Sequence, residues 1–176
     1  MKQKVSDYIA EYIAQWGIRD VFTVTGGGAM HMNDAFGHHK MLHCTYQHHE
    51  QACAMAAEAY ARLGNKMAAV CVTTGPGATN AITGVLGAWM DSIPMLVFSG
   101  QARYATTVSA SGLPLRSMGV QECNIVPVVK SLTKYAHMIV HPENIRYHLE
   151  KALYLAVNGR PGPVWLDIPL DVQGQS

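Results

Sequence analysis

The chain has 176 residues, of which 49% are hydrophobic and only 14% are charged, and its formal net charge is +1. This length fits one domain with a sizeable core, and the small net charge gives no electrostatic reason to expect nucleic acid or an anionic membrane as a partner. Globular domains usually carry about a quarter charged residues. We therefore expect part of the surface to be covered by a second domain or another subunit.

Apolar segments with helical and extended patterns alternate along the chain. Helices are predicted at 5–16, in a short segment ending near residue 37, from about residue 50, up to about residue 89, and at 142–157. Strands are predicted at 21–25, 42–46, 67–74, 94–100, 132–136 and 163–168. The polar, aperiodic stretch 101–122 is predicted to be a long loop, a feature that is usually functional or disordered in compact domains.

Strands that are apolar throughout and separated by helices indicate a parallel sheet covered on both faces. We therefore predict a single α/β domain over residues 1–176, a doubly wound parallel sheet of about six strands with helices on both faces. Ligands bind such sheets beyond the carboxyl ends of the strands. The loops after Thr25, Tyr46, Thr74 and Gly100 are the expected location of a site.

The expected location of the protein is the cytoplasm. Its first segment has the pattern of an amphipathic helix rather than a signal peptide, and no apolar run is long enough to span a bilayer. The cysteines lack a C-x-x-C spacing, and three of the four lie in apolar runs, which predicts reduced core thiols. They are Cys44, Cys53, Cys71 and Cys123.

Two glycine-rich turns follow predicted strands. The segment TGGGAM (25–30) lets the backbone approach a ligand, although a simple tight turn explains it equally well. In TTGPGATN (73–80), a proline between two glycines specifies the backbone shape closely, and Asn80 lies in the first turn of a helix where its amide can face a ligand. A plain capping turn is the alternative.

Glu50 begins an alanine-rich helix that is patterned for burial. Burial disfavours the charge of a carboxylate whereas a helix N-terminus favours it, so this side chain could share a proton with a ligand nitrogen. An ordinary N-terminal cap is the alternative. Further along the helix, Glu58 and Arg62 have the spacing of a simple ion pair. Six histidines between residues 31 and 49 lack the spacing of metal ligands, so we predict no metal site.

Taken together, several motifs resemble those of a known family. HHEQACAMAAEAYAR is similar to its R-H-E-Q-x-A-x-x-A-A-E-G-Y-A-R helix, TTGPGATNAITGVLGAWMDSIPMLVFSGQ to its S-G-P-G-A-T-N…D-S-I-P-M…S-G-Q block, and GRPGPVWLDIPLDV to its G-R-P-G-P-V-x-x-D-I-P ending. The resemblance runs from about residue 5 to residue 171. The family is the N-terminal, pyrimidine-binding (PYR) domain of thiamine-diphosphate enzymes of the acetolactate synthase and pyruvate oxidase group.

The resemblance implies a site and a chemistry. The glutamate matching Glu50 hydrogen-bonds N1′ of the aminopyrimidine ring of thiamine diphosphate, and the cofactor then serves as electron sink when a 2-keto acid such as pyruvate loses CO₂. The implied catalytic residues are Glu50 and Gln121, and Gly27 and Gln121 match positions near the substrate. The implied cofactor-binding residues are Thr25, Gly26, Glu50, Pro76 and Asn80.

The chain departs from the family pattern close to these positions. The synthases have Y-P-G-G at residues 24–27, where this chain has V-T-G-G; Val120 replaces a phenylalanine, and His48 replaces an arginine. These changes leave the cofactor chemistry in place and open the choice of substrate. A carboligase or decarboxylase acting on another 2-keto acid fits as well as an acetolactate synthase.

The family's G-D-G…N-N segment, which binds Mg²⁺ and the diphosphate, does not occur in these 176 residues. We expect the Mg²⁺ ligands on a diphosphate-binding domain of the same or another subunit, in a homodimer or homotetramer, with FAD a possible additional cofactor. The chain alone is expected to be inactive. The alternatives are a small subunit of a split 2-keto acid decarboxylase and a non-catalytic domain that keeps the fold.

Overall fold

The computed structural model describes residues 3–176 and contains a six-stranded sheet in the order β2-β1-β3-β4-β6-β5. All neighbouring strands are parallel. The doubly wound α/β prediction is therefore confirmed. The strands are β1 (Asp20–Thr23), β2 (His43–Tyr46), β3 (Ala69–Val72), β4 (Met95–Gln101), β5 (Tyr135–Met138) and β6 (Pro163–Pro169).

Helices and short 3₁₀ turns connect the strands. The helices are α1 (Val5–Trp16), α2 (Met30–His38), α3 (Glu50–Gly64), α4 (Pro76–Asn80), α5 (Ile82–Met90), α6 (Val108–Ser111), α7 (Ile125–Val129), α8 (Ile145–Val157) and α9 (Leu170–Gln173). Within residues 3–176, none of them has the length and apolar character needed to cross a bilayer.

Two hydrophobic cores lie on opposite faces of the sheet. Along β3, Ala69 and Cys71 enter the core formed with α1, α2 and α8, whereas Val70 and Val72 enter the core formed with α3, α5 and α7. Because successive side chains of a strand point to opposite faces, a strand covered on both sides must be apolar throughout. This explains why β3 and β4 have no alternating pattern.

The predicted elements differ from the observed ones in the short helices and near residue 130. The turn predicted at 73–80 contains α4, so Asn80 is the last residue of a short helix and not part of the first turn of a longer one, and α7 and α9 were not predicted. The prediction placed a strand at 132–136, but Lys130–Leu132 form a 3₁₀ turn, and β5 begins at Tyr135. The Thr133 hydroxyl donates to the carbonyl of Val129 at 2.9 Å, which extends the preceding turn and delays the strand. In the segment 101–122, predicted to be a loop, the first residue is the last residue of β4, and residues 108–111 form the short helix α6.

The predicted ion pair is present, but two cysteines lie in the core where three were expected. All four thiols are free, and burial raises the pKa of Cys53 and Cys71 to about 12. Cys44 and Cys123 are only half-buried. Arg62 pairs with Glu58 and also reaches Asp91 at 2.6 Å, so the predicted pair is part of a three-residue link between α3 and α5.

The strand order reverses direction between β1 and β3. From β1 the chain moves outward to β2, and β3 then pairs on the other side of β1. In open parallel sheets, the crevice at such a switch point lies beyond the carboxyl ends of the strands and is where ligands bind. The segments that leave β1 and β3 here are the two glycine-rich turns.

Candidate active site

Glu50 is the first residue of α3, where the chain leaves the carboxyl end of β2. His49 caps the helix: its Nδ1 accepts the backbone N–H of Gln51 at 3.1 Å. The Glu50 side chain is half-buried and lies over the start of α3.

Asn80 holds one oxygen of this carboxylate. Its Nδ2 donates to Glu50 Oε2 at 2.9 Å, which joins the end of α4 to the start of α3. Oε1 faces Gly77: a Cβ placed on that glycine would lie 3.2 Å from Oε1 and 2.7 Å from Cγ2 of Thr73. Among the described residues, no side chain donates to Oε1, so this oxygen remains available to a ligand.

The turn after β1 packs against the turn after β3. A Cβ on Gly26 would lie 2.4 Å from Cβ of Thr73, so only glycine allows this approach. The backbone N–H of Gly28 donates to Thr73 Oγ1 at 3.1 Å, and that of Gly26 donates to Asn33 Oδ1 at 3.3 Å. Thr73 thus touches both Gly26 and Gly77, and the two turns form one continuous wall beside Glu50.

Beside this wall lies a cavity of about 360 Å³. Of the described residues that line it, Arg103 alone carries a charge, and it is exposed. Apolar side chains and glycines make up much of the remaining lining of the cavity. The lining consists of Gly27, Gly28, Met30, Thr74, Gln101, Ala102, Arg103, Thr106, Val120, Gln121 and Leu170.

Gln121 adopts a left-handed backbone conformation, with φ of 53°, at the rim of the cavity. Its carbonyl oxygen lies against Gly75. The next residue, Glu122, fixes the loop by accepting backbone N–H groups of Val108, Met118 and Gly119 at 2.8–3.0 Å. Burial pulls the pKa of Glu122 upward, but these three donors outweigh it and hold the pKa below its ordinary value.

A buried carboxylate lies beneath the cavity. Asp167, in β6, is fully inaccessible to solvent, and burial raises its pKa to about 7 against the opposing effect of two hydrogen bonds. Ser99 Oγ donates to one of its oxygens at 2.6 Å, and Gln101 Nε2 donates to the other at 3.0 Å. The indole N–H of Trp165 donates to Ser99 Oγ at 2.8 Å.

The structure places the residues expected from sequence in two adjoining groups. The first group consists of Glu50, Asn80, Gly26 and Pro76, the first residue of α4. The second group, Gly27 and Gln121, lines the cavity. Thr25 and Pro76 are exposed at this same edge of the sheet.

Arg103 in the cavity lining and the pair formed by Gln101 and Asp167 were not predicted from the sequence. Gln101 is at the start of the polar stretch 101–122, and Asp167 lies inside an apolar strand segment. The charge of Asp167 within this apolar segment was the available signal of a buried hydrogen-bond network, since a carboxylate is rarely fully buried without partners.

The first group fits the aminopyrimidine half of thiamine diphosphate. Glu50 Oε1 is an available acceptor, Asn80 orients the other oxygen, and the glycines at 26 and 77 leave space that a Cβ would fill. The described part of the chain offers no comparable set of ligands for the metal ion that accompanies the diphosphate. Within residues 3–176, no three His, Cys, Asp or Glu side chains converge in a way that could hold a metal ion.

Comparison with known proteins agrees with this fit. Residues 3–114 match the family described as thiamine pyrophosphate enzyme, N-terminal TPP binding domain, thiamine pyrophosphate (TPP) being another name for thiamine diphosphate. The chain is 36% identical to acetolactate synthase 2, chloroplastic, of Zea mays and 35% identical to acetolactate synthase, chloroplastic, of Arabidopsis thaliana. Each match covers 98% of this chain but only 26% and 25% of the relative, so the chain spans about a quarter of their length. The chain belongs to the family of N-terminal TPP-binding domains of thiamine pyrophosphate enzymes.

Proposed function

We propose that this chain forms the pyrimidine-binding part of a thiamine-diphosphate-dependent carboligase or decarboxylase of 2-keto acids, most similar to acetolactate synthase. The observation that carries the proposal is the Glu50 carboxylate, fixed through Oε2 by Asn80 at 2.9 Å, with Oε1 left open against Gly77. Similarity to plant acetolactate synthases over 98% of the chain supports it.

In this proposal, each site residue has a defined task. Glu50 Oε1 shares a proton with a ring nitrogen of the aminopyrimidine, and Asn80 keeps the carboxylate in the orientation that this requires. Gly26 and Gly77 admit the ring to the wall between the two turns. Bound thiamine diphosphate would supply a nucleophilic thiazolium carbon and an electron sink for the loss of CO₂ from the 2-keto acid.

The adjoining cavity would receive the 2-keto acid. Gly27 and Gln121 line it, and the guanidinium of Arg103 provides a positive charge for the substrate carboxylate. Val120, which is 85% exposed at the rim, would contact the part of the substrate that differs between relatives. Pyruvate is one substrate that fits this chemistry.

The remaining parts of the enzyme would lie on a diphosphate-binding domain of the same polypeptide or of another subunit, in a homodimer or homotetramer. That domain would hold Mg²⁺ and the diphosphate, and FAD is a further candidate cofactor. Exposed apolar side chains on α3 and α5, such as Met55 and Met90, support a covered surface there. A cytoplasmic location stays a prediction.

The proposal predicts that Glu50→Gln slows proton exchange at thiazolium C2 in the assembled enzyme by about 10²–10⁴-fold, the usual contribution of a positioned acid–base group. The amide keeps the size of the side chain but cannot share the proton. The measurement is hydrogen–deuterium exchange of bound thiamine diphosphate, followed by NMR after acid quench.

The matched control is Glu58→Gln, two turns along α3 and outside the site, where Glu58 pairs with Arg62. This control should exchange at the wild-type rate. Exchange at the wild-type rate in Glu50→Gln would refute the role assigned to Glu50.

A further inference from the structure

Asp167 is a fully buried acid for which the proposed chemistry has no direct use. It occupies β6 beside β4, and no described lysine, arginine or histidine forms a salt bridge with it. A carboxylate buried without a cation is costly unless hydrogen bonds compensate it. Its compensation comes from two neutral side chains of β4, Ser99 and Gln101.

Gln101 connects this carboxylate to the cavity wall. Its Nε2 donates both to Asp167 Oδ2 at 3.0 Å and to the carbonyl oxygen of Cys123 at 2.8 Å. Its Oε1 accepts the backbone N–H of Ala102 at 3.0 Å. With both amide hydrogens and the oxygen engaged, the side chain of Gln101 has one orientation that satisfies all three partners.

The segment that Gln101 holds is the one that carries Gln121. Cys123 lies two residues beyond Gln121, and between them Glu122 fixes the other side of the loop through three backbone N–H groups. The backbone of Gln121 is in the left-handed region, which a non-glycine residue keeps only where its surroundings enforce it. The contact between its carbonyl and Gly75 and the Gln101 bond to Cys123 are two such constraints.

We propose that Asp167 is a positioning residue: its carboxylate fixes the amide of Gln101, and Gln101 in turn fixes the segment that carries Gln121 at the wall of the cavity. The importance of this for turnover rests on the proposed role of Gln121 near the substrate. The structural link between Asp167 and Gln121 stands independently of that role.

The link should respond to pH, because a neutral acid is a weaker acceptor than a carboxylate for the Gln101 amide. Burial raises the pKa of Asp167 to about 7, so the carboxylate form is present above that pH and is lost below it. Among the helices on the same face, α4, α5 and α7 contain no ionisable residue. The remaining one, α3, carries Glu50, Cys53, Glu58, Tyr60 and Arg62, and none of these hydrogen-bonds Asp167, whose partners are Ser99 and Gln101. Cys123 faces the network from the loop with Glu122 next to it; burial and the charges of Asp167 and Glu122 raise the pKa of this thiol above its ordinary value.

The first test is a pH titration of the full 176-residue chain by ¹⁵N NMR, from about pH 5 to about pH 9, around the expected midpoint. We expect the side-chain amide of Gln101 and the backbone amides of Gln121 and Cys123 to share one transition near pH 7. Asp167→Asn should abolish this transition. Ile168→Val, a neighbouring change in the opposite core, should keep it. A transition at Gln121 that persists in Asp167→Asn, or that is absent from the wild type, would overturn the proposal.

The second test uses the assembled enzyme and Asp167→Ala, which removes one of the two acceptors of the Gln101 amide. Misplacement of a substrate-contacting group by about 1 Å costs up to about 100-fold in rate, so kcat should fall by about 10- to 100-fold. The Kd for thiamine diphosphate, which depends on Glu50 and Asn80, should change less than about two-fold. Ile168→Val controls for lost stability and should keep the wild-type kcat. An unchanged kcat in Asp167→Ala would refute the role of Asp167 as a positioning residue in turnover.

The two tests separate this inference from the proposed function. A wild-type assembled enzyme that fails to bind thiamine diphosphate would refute the proposed function, while the NMR titration would still decide whether Asp167 controls the segment of Gln121. Conversely, normal cofactor binding with no shared transition would refute only the link through Gln101.

Discussion

At the scale of single residues, the contact between Gly75 and the main chain of Gln121 constrains the site closely. Gly75 has φ of +58°, in the left-handed region that favours glycine, and a Cβ placed on it would lie 2.0 Å from the carbonyl oxygen of Gln121. Two costs would therefore meet in one substitution: backbone strain, and a clash with a main-chain atom that cannot rotate away.

We predict that Gly75→Ala lowers the free energy of unfolding by at least about 2 kcal/mol, of which left-handed strain accounts for about 1 kcal/mol. The clash accounts for the remainder and should displace Gln121. Urea unfolding of the chain measures the loss. Gly159→Ala is the matched control, since Gly159 also has positive φ, at 68°, but a Cβ placed on it would have no atom within 4 Å. Equal losses in both variants would contradict the clash.

At the scale of elements, the edge strand β5 is joined to α8 by a cluster of stacked rings. The hydroxyl of Tyr135 and Nδ1 of His148 are hydrogen-bonded at 2.6 Å, and the ring of His137 stacks on His148 with centroids 4.1 Å apart. Lys151 lies 4.9 Å above the Tyr135 ring. Burial, followed by the charges of His137 and Lys151, lowers the pKa of His148 to about 4.

The cluster predicts a loss of stability in acid. The pKa of His148 is about 6.5 in the unfolded chain and about 4 in the folded chain, so the unfolded chain binds the proton first as the pH falls. The contribution of His148 to the free energy of unfolding is therefore complete above about pH 6.5 and is lost as the pH falls through 4. The difference corresponds to about 3 kcal/mol. His148→Gln should remove this slope, as measured by urea unfolding between those pH values.

His141→Gln, which changes an exposed histidine, is the control and should keep the slope. Asp167 acts in the opposite direction over the same range, because its raised pKa makes the folded chain bind a proton before the unfolded one does. The informative quantity is therefore the difference between wild type and His148→Gln. Parallel curves would refute the role of His148.

The same elements show what a sequence can and cannot supply. The order of the longer helices and the strands and the two-sided burial of the sheet follow from apolar patterning. Strand ends, turns such as Lys130–Leu132 and the short helices α4, α6, α7 and α9 do not, because segments of four or five residues are too short to show a helical period. Resemblance identified Glu50 and Asn80, but their contact joins residues 30 positions apart and required the folded sheet. The hydrogen-bond partners of Asp167 could not be predicted, because an aspartate in an apolar strand does not indicate which residue will donate to it. Here the donor, Gln101, is 66 positions away in the sequence.

At the scale of the whole molecule, the two hydrophobic cores are connected by the strands that they share. β3, β4 and β6 each contribute side chains to both faces. Leu149 in α8 and Ile125 in α7 are buried in opposite cores, at 0% and 1% exposure. Since neither core can lose its packing without exposing the back of the same sheet, we expect the chain to unfold as a single unit.

The test compares one cavity-forming change on each face. Leu149→Ala and Ile125→Ala should each lower the free energy of unfolding by about 2–5 kcal/mol, the usual cost of truncating a buried aliphatic side chain to alanine. Both should shift one transition, with far-ultraviolet circular dichroism and tryptophan fluorescence remaining coincident, because Trp16 and Trp165 report on opposite sides of the sheet. Leu63→Ala, at a side chain that is 88% exposed, should leave the midpoint nearly unchanged. If either core variant instead separated the two signals into successive transitions, each face would be a unit of its own, and strain introduced at one face would not reach the site through the sheet.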